Sequence, residues 1–205
     1  MLKLEIQNLA KSFGPRKIFE NINLSLSQGQ SIAIVGPNGS GKTTLRRMIM
    51  GLNFPTRGTV TFSEDGKKLD FEQYRPRLAL VAPYLSLYGS LTARENLAFF
   101  AKVNGRTISD NEIETALEMV GLAGRADDFV SVYSTGMQQR LKYAVAFIKQ
   151  PSIFLIDEPG TNLDESGKKI IFELIGACRG ESIIVIATNE REEYSLAGQL
   201  CQLGR

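Results

Sequence analysis

The sequence predicts an α/β protein: a mostly parallel sheet with crossover helices, an N-terminal β-rich region and an inserted helical segment. Three observations carry this. Continuous apolar runs at Ser31–Val35, Ile153–Ile156 and Ile183–Ile186 read as strands buried on both faces. A helical pattern from about Ser166 to Cys178 separates the last two, as a crossover between parallel strands requires. From about residue 90 to 150 the strand pattern gives way to consecutive helices.

In chain order, Leu2–Asn8, Ile22–Leu26 and Gly58–Phe62 read as strands set apart by turn-formers. Met1 to Ile6 alternates like a strand and lacks the apolar block of a signal peptide. Thr92–Val103, Asp110–Val120 and Gly136–Ile148 read as helices, with Ser109 or Asp110 and Ser134 as N-caps. In the third, Met137, Leu141, Ala144, Val145 and Ile148 keep helical spacing. With no linker or repeat, the chain reads as one domain, 1–205. Its core segments are 1–83 and 150–205, around a helical subdomain of about 84–149.

Composition excludes several functions. The 205 residues carry 24 Lys and Arg against 22 Asp and Glu, a net charge of +2. That balance argues against a dedicated nucleic-acid binder and against a polybasic membrane anchor. With 43% hydrophobic residues the chain can bury a sizeable core. No apolar run approaches the ~20 residues of a membrane span. Cys178 and Cys201 fit neither a disulfide framework nor a zinc spacing. Histidine is absent, which removes every mechanism that needs imidazole.

The strongest chemical signal follows the first buried strand: Gly36-Pro37-Asn38-Gly39-Ser40-Gly41-Lys42-Thr43-Thr44. It is the G-x-x-x-x-G-K-[ST] pattern in its strand–loop–helix context. Glycines let the backbone curl so that successive N–H groups point at phosphate oxygens, and the helix beginning near Lys42 adds its positive end. Lys42 is placed to reach the β- and γ-phosphates, and the Thr43 hydroxyl to ligate Mg²⁺. The second buried strand ends in Asp157-Glu158-Pro159. Asp157 stands where a Mg²⁺ ligand belongs, and Glu158 can act as general base for a water; alone, two acids after a strand also read as a charged turn. Ser134-Thr135-Gly136-Met137-Gln138 opens the third helix either as an N-cap or as a second phosphate-recognising terminus, and the residues alone leave both readings open.

Taken together, these motifs resemble the ATP-binding-cassette (ABC) ATPase family over essentially the whole chain. The matching set is the phosphate loop, Ser134-Thr135-Gly136-Met137-Gln138-Gln139-Arg140, the Ile153–Glu158 strand end and Thr161-Asn162-Leu163-Asp164. Against the usual L-S-G-G-Q signature, Tyr133, Thr135 and Met137 differ while Ser134, Gly136 and Gln138 match. The resemblance implies a P-loop NTPase core with an N-terminal antiparallel β subdomain and an inserted α-helical subdomain. It also implies ATP and Mg²⁺, with the signature of one subunit on the γ-phosphate bound by another. One phosphate loop and one signature per chain then require a head-to-tail homodimer. Asp164 falls in the family's dimer-communicating loop, and it also suits a cap for the helix that follows. Phe13, which alone reads more readily as core, stands where the family stacks an aromatic on adenine.

Two expected residues are replaced. Pro83 occupies the position of a glutamine that helps bind Mg²⁺ and the attacking water, and Gln73 lies too far upstream to serve. Asn189 replaces the switch histidine; it can still donate a hydrogen bond, and with Glu192 it also reads as a helix capping pair. Losing one donor to transition-state charge typically costs ~2.7–4 kcal/mol, so slow hydrolysis is expected, with Lys42, Glu158 and Asn189 as the catalytic set.

Tyr84, Leu85, Leu87, Tyr88, Leu97, Phe99 and Phe100 read either as ordinary core or as the groove that, in ABC transporters, receives a short helix of the membrane permease. The resemblance thus implies an ATPase subunit at the inner face of the membrane powering a permease, with compact length similar to the haem-exporter type of cytochrome c maturation. An ATP-gated dimerising regulator is the alternative. A relative acting on DNA or ribosomes would be expected to show a basic patch or a tandem cassette.

Overall fold

In the computed structural model, which describes residues 1–204, the chain divides into two compact units. One comprises residues 1–78, 152–156 and 178–204; the other comprises 79–151 and 157–177.

The first unit holds two sheets. In the antiparallel one, β1 (Leu2–Phe13) pairs with β2 (Arg16–Ser27) on one side and β4 (Arg57–Glu64) on the other, and β5 (Lys67–Leu69) follows β4. Alternation decides which face is buried: Leu2, Leu4 and Ile6 are inside, and Leu4 stands opposite both Leu26 and Phe62. The three strands expected here are therefore present, each longer than its apolar pattern. A four-residue helix, α2 (Phe71–Tyr74), follows, closed by a capping box in which Asp70 N–H donates to Gln73 Oε1 at 3.0 Å. The Gln73 side chain is thus committed to its own helix.

In the second sheet of this unit, β7 (Ile153–Asp157), β8 (Ile183–Thr188), β3 (Ser31–Val35) and β9 (Gln199–Gln202) lie side by side in that order. β3 pairs in parallel with β8 from Ser31↔Ile184 to Val35↔Thr188, and with β9 on its other side. All five residues of β3 and all six of β8 are buried, which explains their unbroken apolar runs. α1 (Lys42–Ile49) buries Leu45, Met48 and Ile49; Leu45→Ala would cost about 2–5 kcal/mol. A 3-10 segment over Arg191–Leu196 follows β8, and here the sequence reading is corrected. Its N-cap is Glu190 and no side chain caps it, so the expected Asn189–Glu192 capping pair does not form. The reason is one of register: the segment begins at Arg191, one residue later than an Asn189 cap requires, and the Thr188 hydroxyl accepts the Glu190 N–H at 2.9 Å.

β6 (Leu78–Val81) leads into the second unit, which is built from α3 (Ala93–Val103), α4 (Asp110–Met119), α5 (Thr135–Ile148) and α6 (Glu165–Ala177). Thr92 with Glu95 and Ser109 with Glu112 form capping boxes, so Ser109, not Asp110, starts α4. Leu97, Leu117, Leu141 and Ala144 are wholly buried, which is the apolar stripe that the helical spacing predicts. Arg94 ties α3 to α4 through Asp110 and Glu114, and also binds Asp127. Among the described residues no helix is long and apolar enough to cross a membrane.

Candidate nucleotide site

The first unit builds the phosphate loop from β3 upward. At the end of the strand the chain turns through Gly36, whose φ is +150°. A Cβ there would stand 2.5 Å from the Leu203 carbonyl oxygen and 2.8 Å from Ser40 Oγ. Gly41, with φ +103°, is the N-cap of α1, and a Cβ on it would lie 2.6 Å from Ile18 Cγ2 and 2.9 Å from the Phe19 ring. Backbone conformation and close walls together leave room only for glycine. Between them the Ser40 N–H donates to the Pro37 carbonyl at 3.1 Å, while Pro37, Asn38 and Gly39 are exposed. Lys42 is 8% exposed, and its Nζ donates to the carbonyls of Gly36 at 2.6 Å and Pro37 at 3.3 Å. The ammonium is thereby folded over the loop, where an incoming phosphate can exchange for those carbonyls. Thr43 is exposed and Thr44 half-buried.

The N-terminus of α1 also differs from most others in the protein. Gly41 contributes no side-chain cap, and the first turn carries no acid. α2, α3, α4 and α6 each place a carboxylate in the first turn: Glu72, Glu95, Asp110 with Glu112, and Glu165. Those ends answer their own dipole with a carboxylate; the end of α1 has neither cap nor carboxylate.

In the second unit α5 shares the missing acid but not the missing cap. Ser134 Oγ accepts the Met137 N–H at 3.2 Å, so the capping reading is correct, and no carboxylate lies in the first turn. Gly136 faces the backbone of Asn162, whose carbonyl oxygen would lie 3.1 Å from an added Cβ. Gln138 turns its amide back, donating to the carbonyls of Val130 at 3.3 Å and Tyr133 at 3.2 Å. Tyr133 is buried and donates to the Arg125 carbonyl at 2.6 Å; burial pushes its phenol up to about 12.

The acidic turn follows β7. Asp157 is that strand's last residue, and Glu158 has a left-handed backbone, φ +46°. For a residue with a Cβ this costs of order 1–3 kcal/mol, and the turn holds it: Thr161 Oγ1 donates to Glu158 Oε2 at 3.2 Å and Thr161 N–H to the Glu158 carbonyl at 3.1 Å. Asp164 caps α6, accepting from Gly167 N–H at 2.8 Å and Ser166 Oγ at 3.1 Å. The Gly167 N–H, then the Ser166 hydroxyl, hold its carboxyl below the usual range.

The residues singled out in the sequence therefore fall into two groups. The first unit contains Phe13, the loop Gly36–Thr44 and Asn189; the second contains Asp157, Glu158, Ser134, Gly136, Gln138 and Asp164. Phe13 ends β1 at 52% exposure, with the Lys11 ammonium 4.7 Å over its ring, so it is not core. Asn189 is exposed after β8. Tyr84, Tyr88 and Phe99 are also exposed, while Leu97 is buried: the aromatic cluster is partly surface, with Tyr88 and Phe99 packed edge to face at 4.9 Å. Sequence reasoning passed over Ile18, Phe19 and Leu203, which wall the loop, and Lys142, which donates to the Pro83 carbonyl at 2.6 Å. No local pattern marks them.

A glycine-walled loop between a buried parallel strand and an acid-free helix terminus, with a buried lysine folded over it, defines the class: a P-loop nucleotide-binding protein. Comparison with known proteins names the family. Residues 19–161 match the family described as ABC transporter, and the chain belongs to it. It is 32% identical to the Nod factor export ATP-binding protein I of Bradyrhizobium diazoefficiens, over 98% of this chain and 67% of that protein. It is also 32% identical to the cytochrome c biogenesis ATP-binding export protein CcmA of Vibrio parahaemolyticus, over 94% of each chain. A solved structure described as the ATP-binding subunit of an ABC transporter superposes with a TM-score of 0.82 at 27% identity, covering 98% of this chain and 85% of that one. The chain spans between 54% and 67% of the length of several of its curated relatives. The P-loop core with its mostly parallel sheet, N-terminal antiparallel β region and helical insertion is thus an ABC ATPase fold.

Proposed function

We propose that the chain is the ATP-hydrolysing subunit of an ABC transporter, driving a separate membrane permease as a head-to-tail homodimer. The observation that carries this is the loop itself: Gly36 and Gly41 are pressed against neighbouring chain, and Lys42 is held over two carbonyls that a phosphate can replace. In this reading the domain is one ATPase unit with core 1–83 and 150–205 around a helical part of about 84–149. Backbone N–H groups from Gly36 to Thr44, Pro37 excepted, cradle the phosphates and Lys42 neutralises the β- and γ-oxygens. Thr43 and Asp157 would be the ligands for Mg²⁺, each offering the oxygen donor a hard cation takes. The ion would supply charge neutralisation between the β- and γ-phosphates.

Glu158 takes the proton of the attacking water, its carboxylate held by the Thr161 hydroxyl at 3.2 Å. Ser134, Gly136 and Gln138 belong to the partner-facing helix end, and Asp164 to the loop beside it. Phe13 offers an exposed ring face to adenine. The exposed Tyr84, Tyr88 and Phe99 form the docking surface for a permease helix at the inner face of the membrane. Both relatives named above are described as export proteins, which supports an exporter, including the cytochrome c maturation type. No direct nucleic-acid contact enters this reading.

Pro83 has no side-chain donor and Asn189 is exposed and shorter than histidine, so hydrolysis is slow. The same two residues favour the second reading, an ATP-gated dimerising regulator with little turnover. Steady-state ATP hydrolysis of the purified chain, with Glu158→Gln as control and dimerisation followed by light scattering, decides. Mg²⁺-dependent turnover lost in Glu158→Gln supports the motor; ATP-driven dimers without turnover support the regulator.

A further inference from the structure

Two neighbouring side chains on α5 each hold the main-chain carbonyl of a distant proline. Lys142 Nζ donates to Pro83 at 2.6 Å, and Tyr143 Oη donates to Pro159 at 3.2 Å. Both contacts lie within the second unit, and neither is local, spanning 59 and 16 residues. Each grips a chemically singular point. Pro83 opens the segment that carries Tyr84 and Tyr88, and Pro159 directly follows Glu158. Pro83 itself has no backbone N–H, so its carbonyl is the main-chain group a neighbour can grip there.

Lys142 is half-buried, and burial lowers its pKa, so the ammonium is held in a site that does not solvate it freely. Its second acceptor is Oε1 of the buried Gln139, one turn earlier on the same helix, at 3.3 Å. Tyr143 is wholly buried, which fixes its ring by packing. The same helix begins at Ser134, the end assigned above to a partner's nucleotide.

We infer that Lys142 and Tyr143 are positioning residues: α5 clamps the docking segment with one and the Glu158 turn with the other, so that the signature helix, the permease contact and the general base move as one piece. The inference rests on the proposed ATPase reading for its functional half. Its structural half is the clamp itself. A rigid helix of 14 residues transmits a shift at its N-terminus to both prolines without any other moving part. The Lys142 contact is a direct link between the Pro83 segment and α5.

Hydrogen exchange of the nucleotide-free chain and ATPase kinetics of the same preparations test this, using Lys142→Met, Lys142→Arg and Tyr143→Phe. In Lys142→Met, amides over residues 84–88 should exchange about tenfold faster, while those of α3 keep their protection. Its kcat should fall about tenfold with KM for ATP unchanged, and Lys142→Arg, which keeps a charged donor, should restore most of both. Tyr143→Phe should lower kcat in the same way and loosen 158–161 instead of 84–88. Unchanged exchange over 84–88 in Lys142→Met, or a kcat loss that Lys142→Arg leaves untouched, overturns the clamp. Absence of hydrolysis in the parent chain sinks the ATPase reading alone, because the exchange experiment contains no nucleotide.

Discussion

α1 and α5 both begin beside glycine and both lack an acid in the first turn, yet they are finished differently. α1 starts at a left-handed glycine with no side-chain cap, so its stability is partly left to an arriving anion. α5 starts at Ser134, whose hydroxyl already accepts the Met137 N–H. An uncapped helix end leaves its orphan N–H groups open to an anion. A capped end with a neutral hydroxyl is stable in isolation and still admits a phosphate held mainly by another surface. The contrast matches the proposed division of labour, in which one terminus cradles the nucleotide and the other senses it.

Removing what is special about α1 should have the largest effect. Gly36→Ala places a methyl 2.5 Å from the Leu203 oxygen, so ATP binding by isothermal calorimetry should be lost and unfolding free energy should fall by about 1–3 kcal/mol. If the variant binds ATP as the parent does, the loop is not the site. Glu158→Gln should then separate binding from chemistry: ATP affinity stays within about threefold while turnover drops roughly 10²–10³-fold. Equal turnover would remove Glu158 as the base.

Ser134→Asp sharpens the comparison itself. Aspartate caps as well as serine, so thermal stability should stay within about 0.5 kcal/mol, whereas Ser134→Ala should cost about 1 kcal/mol. The new carboxylate nonetheless faces the space assigned to phosphate, and ATP-driven dimerisation should vanish in Ser134→Asp. Dimers that persist would confine Ser134 to capping. Asn189→His should raise turnover several-fold if that position limits the rate; an unchanged kcat would place the limit elsewhere.

The smallest effect concerns Asp164. Its folded pKa is lowered, so the stability it contributes is present above the unfolded value of about 3.9 and is lost as pH falls below it. Asp164→Asn should therefore lie slightly below the parent on the neutral plateau and converge with it in acid, where the parent's carboxyl is protonated. A difference that persisted unchanged into acid would point to a role other than that of the ionised cap.

What the sequence determined by itself is whatever repeats within a few residues. Ser31–Val35 and Ile183–Thr188 are legible because strands buried on both faces must be apolar throughout. The capped starts of α4 and α5 are legible because a cap and its N–H partner lie within three residues. The phosphate loop is legible because its chemistry is contiguous. β9 is missed because its four residues are mostly exposed and owe their strand geometry to β3.

Only the tertiary structure decided that Glu190 rather than Asn189 precedes the 3-10 segment, and that Phe13 stands at the surface instead of the core. It alone showed the Leu203 oxygen closing on Gly36, and Lys142 and Tyr143 reaching Pro83 and Pro159. Contacts that join residues tens of positions apart leave no periodic trace, because either partner taken alone satisfies every local rule of helix or turn.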